Sequence, residues 1–293
     1  MEGDYVLITP ARNEAATIDM TIRSVLGQTV RPKEWVVVSD RSSDLTDEIV
    51  NRYASEHPFI HFVRIDGHGE HSFASVVRAT ETGIRALRYR DYSYLGLVDA
   101  DVRFPPDYFE RLIGEFGRDP RLGIAGGFVW DVVDGMTRNV YQNLNEVAGA
   151  TQFFKRECFE SLGGLLAIPE GGWDAITCVQ ARMNGFKTVT FPELIVEHLK
   201  TRNLAHGNLL RRTWQLGVRD YVLGYHPLFL LAKCCSRCLE YPFVVAALCR
   251  LGGYCWAALA GHKPFPQPEL VDYLRREQLR RLNTVIHLRP FGR

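Results

Sequence analysis

Residues 94–106 read Tyr94-Leu95-Gly96-Leu97-Val98-Asp99-Ala100-Asp101-Val102-Arg103-Phe104-Pro105-Pro106. An apolar run closes on two aspartates one residue apart, and the paired prolines suit the first turn of a helix over 107–116. A short apolar run without alternation is the pattern of a strand buried on both faces, as in a parallel sheet. The same unit recurs toward the N-terminus. Residues 5–9 form an apolar strand closed by Pro10, and helical periodicity follows over 17–26 (Ile18, Ile22, Val25, Leu26) until Pro32 breaks the chain. Residues 35–39 and 60–65 read as strands, 43–53 and 72–89 as helices. Repeated strand–helix units predict an α/β fold with a mostly parallel, twisted sheet, helices on its faces and right-handed crossovers. Ligands of such sheets bind beyond the carboxyl ends of the strands.

Toward the C-terminus the pattern loosens. Residues 120–200 are punctuated by Gly126-Gly127, Gly163-Gly164 and Gly171-Gly172, with helices expected over 158–162 and 175–183 and strands over 188–191 and 194–196. From Leu209 the composition changes to apolar helical stretches (214–223, 228–235, 243–260) interrupted by Arg219, Lys233, Arg237 and Arg250, then a charged helix over 268–282. We therefore expect a first domain over 1–203 and a helical subdomain over 204–293.

The 293 residues are 46% hydrophobic and 24% charged, which excludes general disorder. A formal charge of +1 gives no reason to expect a nucleic-acid partner, but it hides a split: residues 1–200 carry net −8 and residues 201–293 net +9. Residues 243–260 would make a helix of about 27 Å, barely enough to span a bilayer, and Arg250 and Gly252-Gly253 interrupt it. Two readings fit the basic, partly apolar tail. Its helices lie on an anionic membrane surface, with Arg211, Arg212, Arg219 and Arg237 toward lipid phosphates. Alternatively they form a soluble subdomain that closes over the site or makes a homodimer interface. The acidic start, running straight into the first strand, suggests no secretory segment. Seven cysteines then read as reduced thiols, and the location as cytoplasmic or peripheral at the inner face of the cell membrane. Cys234, Cys235 and Cys238 read as packed thiols rather than a zinc site.

No Gly-x-Gly-x-x-Gly follows the first strand, and the chain has no Gly-Lys pair, His-Glu-x-x-His or Gly-x-Ser-x-Gly. It has carboxylates at strand ends instead. Glu14 follows the first strand, Asp40 ends the second, and Asp99 and Asp101 follow the fourth. Oxygen donors of this kind suit Mg²⁺ or Mn²⁺, with a substrate diphosphate completing the shell.

The order Thr9-Pro10-Ala11-Arg12-Asn13-Glu14, then Gln28 and Pro32, then Ser39-Asp40-Arg41-Ser42-Ser43-Asp44-Leu45-Thr46, then Asp99-Ala100-Asp101 resembles the glycosyltransferase family 2 enzymes, inverting sugar transferases with the GT-A fold. Phe154 to Phe159 with Gly163-Gly164, then Gly172-Trp173-Asp174, then Arg182 to Phe186 extend the similarity over about residues 5–200. The resemblance implies a donor of the UDP- or GDP-sugar type and a glycan or lipid-linked acceptor. Thr9, Ala11, Arg12, Glu14, Asp40 and Asp99 would hold the donor, Asp101 with Asp99 and His198 the metal, and Asp174 would be the catalytic base. Several positions depart from the family pattern. Ser39 and Arg41 stand where an aspartate and a glycine are common. Trp173 replaces an acid and could stack on a sugar ring, and Arg78 is the nearest candidate for a basic residue usually found before the fourth helix. Arg212-Thr213-Trp214 is spaced wrongly for the signature of processive polymerases, so a non-processive enzyme is expected. A nucleotidyltransferase or a non-catalytic membrane-associated scaffold would share the sheet. The first would need a glycine-rich basic loop at 10–16, which is missing, and the second would sit better with loss of the Asp99/Asp101 pair, which is present.

Overall fold

Every residue of Glu34–Asp40 is buried, as a strand covered by helices on both faces must be. The computed structural model describes residues 3–67, 72–133, 136–139, 143–200, 206–236 and 244–287; Arg237, Cys238 and Phe243 lie outside them. The described chain forms two compact units, one from residues 1–167 and 173–202, the other from 168–172 and 203–293.

The first unit opens with β1 (Tyr5–Ala11), α1 (Ile18–Leu26), β2 (Glu34–Asp40), α2 (Thr46–Glu56), β3 (Ile60–Ile65), α3 (Phe73–Ala86) and β4 (Tyr94–Val98). These four strands pair in parallel in the order β3-β2-β1-β4. Alternate residues point to opposite faces. Tyr5, Leu7, Trp35 and Val37 pack with Ile22, Val50 and Phe109, while Val6, Ile8, Val36 and Val38 pack with Val77, Cys158 and Cys178. Each fully buried large side chain contributes about 1.5–3 kcal/mol. The acid in this run, Glu34, takes the backbone N–H groups of Arg88 (2.8 Å to Oε2) and Tyr89 (2.6 Å), which ties down the chain leaving α3.

The second half of the sheet is mixed. It comprises β5 (Val102–Arg103), α4 (Tyr108–Arg118), β6 (Leu122–Val133), β7 (Met136–Asn139), β8 (Thr151–Lys155), α5 (Arg156–Ser161), α6 (Trp173–Met183) and β9 (Lys187–His198). The order continues β4-β8-β6-β9-β5, with β4–β8, β8–β6 and β9–β5 antiparallel and β6–β9 parallel. The sheet is thus parallel through β4 and mixed beyond it, because the chain returns to β8 without a crossover helix. The sequence pattern marks neither β6 nor β8 and shows β9 as two short strands. Gly126-Gly127 has the look of loop punctuation, yet both lie in β6, and position 127 requires glycine because a Cβ there would stand 2.3 Å from the Leu194 carbonyl oxygen. The two short strands expected over 188–196 are one strand with an irregularity. Gly127 pairs with Phe191 but Phe128 with Ile195, a bulge around Pro192, which has no N–H for the ladder.

The second unit holds α7 (His206–Val222), α8 (Pro227–Ser236), α9 (Val244–Leu259) and α10 (Pro268–His287). α7 and α9 approach closely, since a Cβ on Gly253 would lie 2.2 Å from the Trp214 carbonyl oxygen. Arg250, the charge that interrupts the apolar run of α9, is paired within this unit. Its Nε donates to Asp220 Oδ2 at 2.6 Å, with Lys233 Nζ 3.9 Å from the other oxygen, and the Asp220 side chain is fully buried. The six described cysteines are free thiols.

Gly127→Ala tests the close approach of β6 and β9. Its Cβ would meet the Leu194 carbonyl oxygen, which cannot swing away, and the buried side chains of Tyr108 and Val196, so the substitution should lower stability by about 1–3 kcal/mol, read from the urea midpoint. An unchanged midpoint would show that β9 can draw back freely.

Candidate active site

The loops leaving β1 and β2 are built on each other. Asn13 and Arg41 both adopt left-handed backbone, with φ of 56° and 58°, a conformation that non-glycine residues take at a cost. Side chains of the second loop hold the first. Ser42 Oγ accepts the Asn13 N–H (3.2 Å), Thr46 Oγ1 that of Glu14 (2.8 Å) and Asp44 Oδ2 that of Ala15 (3.0 Å), while Asn13 Oδ1 accepts the Ser43 N–H (2.8 Å). Ser42, Asp44 and Thr46 are therefore braces. Arg41 stands where glycine would be easiest and turns its guanidinium onto Asp40, with Nε 2.7 Å from Oδ1; Arg12 Nη1 approaches Oδ2 at 3.8 Å.

These loops and the end of β4 enclose a cleft of about 150 Å³. Ala11, Arg12, Glu14, Asp40, Asp99 and Asp101 line it, with Ser75, Val76 and Ala79 of α3 on the far wall. Glu14 pairs with Lys200 and accepts from Thr17 Oγ1 at 3.0 Å. Burial raises the Glu14 carboxyl above its ordinary range against the pull of Lys200. Asp99 is pushed up to about 7 by burial, then by the charges of Asp101, Asp174 and Glu14, with Lys200 opposing. Asp174, in the first turn of α6, accepts the Gly149 N–H on Oδ2 at 3.1 Å.

Other candidates sit elsewhere. The Thr9 side chain is buried and accepts the Trp35 indole N–H at 3.0 Å, so it faces the core. Trp173 is 8% exposed and packs among the apolar side chains of one sheet face, where its ring meets Gly149. Arg78 is exposed and outside the cleft lining, which its neighbours Ser75, Val76 and Ala79 supply.

Among the described residues no three His, Cys, Asp or Glu side chains close around an ion. Two donors do converge: His198 Nε2 is 3.5 Å from Asp101 Oδ2. Adjacent ligands of one octahedral ion at ~2.1 Å stand ~3 Å apart, and Mg²⁺-type sites usually take few protein ligands and draw the rest from phosphates and water. The donor set thus fits a divalent cation shared with a diphosphate. Sequence reading missed Asp131, 3.2 Å from His198 Nδ1, and Lys200. Asp131 lies in the strand that went unassigned, and Lys200 belongs to no motif.

The Glycosyl transferase family 2 sequence model matches residues 6–167. Poly-β-1,6-N-acetyl-D-glucosamine synthase of Staphylococcus aureus (strain COL) is 25% identical over 228 residues, 78% of this chain and 49% of that protein. The synthase of Staphylococcus epidermidis is 25% identical over 215 residues, 73% of this chain and 46% of that protein. The chain spans about half the length of the curated relatives it matches. Among solved structures, a mannosyltransferase from Pyrobaculum calidifontis in complex with GDP-Man and Mn²⁺ aligns with TM-score 0.58 at 21% identity, over 98% of this chain and 81% of that one. S. aureus TarS 1–349 in complex with UDP-GlcNAc aligns with TM-score 0.55 at 14% identity, over 75% and 66%. Both structural likenesses concern the fold, a GT-A sheet with flanking helices.

The raised Asp99 carboxyl sets a pH dependence. In metal-free protein, between its ordinary value of 3.8 and about 7, the folded state keeps a proton that the unfolded chain has released. This contribution to stability is full below about pH 4 and lost as pH rises through 7. Asp99→Asn should therefore flatten the fall in urea midpoint between pH 5 and 8. A variant that falls as steeply as the parent would place the titrating group elsewhere.

Proposed function

We propose, for a chain that belongs to glycosyl transferase family 2, that it transfers a sugar from a nucleotide-diphospho-sugar to a hydroxyl acceptor with inversion at the anomeric carbon. The observation that carries this reading is the convergence of Glu14, Asp40, Asp99 and Asp101, from three strand ends, on one cleft. Asp40, held by Arg41, and Ala11 and Arg12 would seat the nucleoside, with Glu14 and Asp99 beside the ribose. Asp101 and His198 would hold Mg²⁺ or Mn²⁺, which when bound supplies positive charge where the leaving diphosphate becomes negative.

Asp174 would act as general base. The Gly149 N–H fixes its Oδ2 and leaves Oδ1 to accept the acceptor's hydroxyl proton. The acceptor oxygen then bonds to the anomeric carbon from the face opposite the departing diphosphate, so one displacement breaks one C–O bond, forms another and inverts the centre. No chain residue needs to bond to the sugar. We assign the donor to the UDP- or GDP-sugar class, the acceptor to a growing glycan or lipid-linked saccharide, and the transfer to single additions.

The second unit supports attachment at an anionic membrane surface. No described helix is long and apolar enough to cross a membrane, yet its outer faces are apolar. Leu228, Leu231 and Cys235 of α8 are exposed at helical spacing, as are Val245, Leu248, Trp256 and Leu259 of α9. Trp214 and Trp256 stand half-exposed with ring centroids 6.3 Å apart, the amphipathic rings favoured at headgroup depth. Arg211 and Arg212 are exposed on α7, whereas Arg219 lies partly buried against Gly172.

A screen of UDP- and GDP-sugars for release of nucleoside diphosphate, with Mn²⁺ and with EDTA, tests the reaction. One donor class should be hydrolysed, and EDTA should abolish it; full activity in EDTA removes the metal. Transfer by Asp174→Asn should drop by ~10²–10⁴-fold with donor binding unchanged, and a parallel loss of donor affinity would make Asp174 a donor ligand. Sedimentation with vesicles tests the surface. The chain should favour anionic over neutral lipid, and salt should weaken it; equal partitioning removes the membrane reading.

A further inference from the structure

Asp131 plays no part in the reaction described above and belongs to no motif, yet it is buried beside a residue of the site. β6 and β9 run in parallel with Asp131 opposite His198, which puts both side chains on one face of the sheet. The bulge in β9 creates this pairing: with the register that joins Gly127 to Phe191 carried forward unshifted, Asp131 would face Ile195. On the other side of β9, β5 pairs Val102 with His198 and brings Asp101 alongside. The imidazole thus lies between two carboxylates, with Nδ1 3.2 Å from Asp131 Oδ1 and Nε2 3.5 Å from Asp101 Oδ2. The His198 side chain is 13% exposed. Its buried Nδ1 has no hydrogen-bond partner among the described residues; the approach to Asp131 Oδ1 is an ion-pair contact at 3.2 Å, which a small turn of the ring would align for donation.

A neutral imidazole has one N–H and one bare nitrogen, and the neighbour of one ring nitrogen decides the state of the other. The nearer acceptor here is Asp131. We propose that Asp131 is a positioning residue that holds the His198 proton on Nδ1, so that Nε2 offers its lone pair to the divalent cation shared with Asp101. The opposite tautomer would aim an N–H at that cation and remove a donor from a site that has few. The inference rests on the reading of Asp101 and His198 as metal residues. It adds an outer carboxylate, which fixes both the ring plane and the tautomer. Loss of such a partner typically weakens metal binding by about 10–100-fold.

The test is Mn²⁺ binding by the full chain, followed by the electron paramagnetic resonance of free Mn²⁺, with UDP or GDP present. Asp131→Asn should weaken binding by about 10–100-fold while the metal-free thermal midpoint stays near that of the parent. His198→Ala should weaken it at least as much, and the double variant no further than His198→Ala alone. Unchanged binding by Asp131→Asn beside weakened binding by His198→Ala overturns the inference and leaves the metal reading standing. A parent chain that binds no Mn²⁺ with either nucleotide overturns both. The ¹⁵N spectrum of histidine-labelled, metal-free parent protein, with His198 assigned through His198→Gln, is independent of how the variants fold. A proton on Nδ1 supports the inference, and a proton on Nε2 overturns it.

Discussion

The packing of β1, β2 and β4 between two helical layers governs where this chain can carry charge. Both faces of these strands are filled with Tyr5, Trp35, Val36, Val38 and their neighbours, and a carboxylate among them would be costly unless paired. Glu34 is the exception, and it is covered by backbone N–H groups. The other acids come just where the strands run out: Asp40 as β2 ends, Asp99 after β4, Glu14 beyond β1. Parallel pairing aligns those ends on one edge, so an acidic cleft follows from how the core excludes charge.

Gathering carboxylates has its own cost, visible in the backbone and in the countercharges. Two non-glycine residues adopt left-handed backbone, and Ser42, Thr46 and Asp44 accept the N–H groups of Asn13, Glu14 and Ala15, which braces the loop that holds the first of them. Arg12 and Arg41 stand over Asp40, and Lys200 over Glu14. Asp99 has no ion-pair partner among the described residues, and burial with the neighbouring acids pushes its carboxyl up to about 7.

The parts legible in the sequence were those specified by local pattern. β1 to β4 and the helices between them show as apolar runs and periodicity, and the acids after them show as punctuation. α2 starts at Thr46 rather than 43 because Ser42, Ser43 and Asp44 are engaged with the neighbouring loop, a long-range contact no window of sequence reports. β6 stayed hidden because two glycines interrupt its pattern, Gly126 where Thr151 of β8 leaves no room for a side chain and Gly127 where Leu194 of β9 leaves none. With β6 unread, Asp131 could not be placed beside His198, 67 positions away in the chain. Thr9 and Trp173 are of types that suit ligand contact, and only the fold reveals that the Trp35 indole engages the Thr9 hydroxyl and that a sheet face buries most of Trp173.

The buried pair of Asp220 and Arg250 bears on how the second unit comes together. α7 and α9 meet through glycine and backbone, with the rings of Trp214 and Trp256 and of Tyr221 and Tyr254 packed across the seam. The ion pair adds to what fixes their register, because a shift of one turn would strand a fully buried carboxylate away from its guanidinium. The two residues are 30 positions apart, so α7 cannot bury Asp220 at low cost until α9 has been made. The two helices are thereby coupled in stability: removing the guanidinium alone would leave an acid in a buried seam with its main countercharge missing.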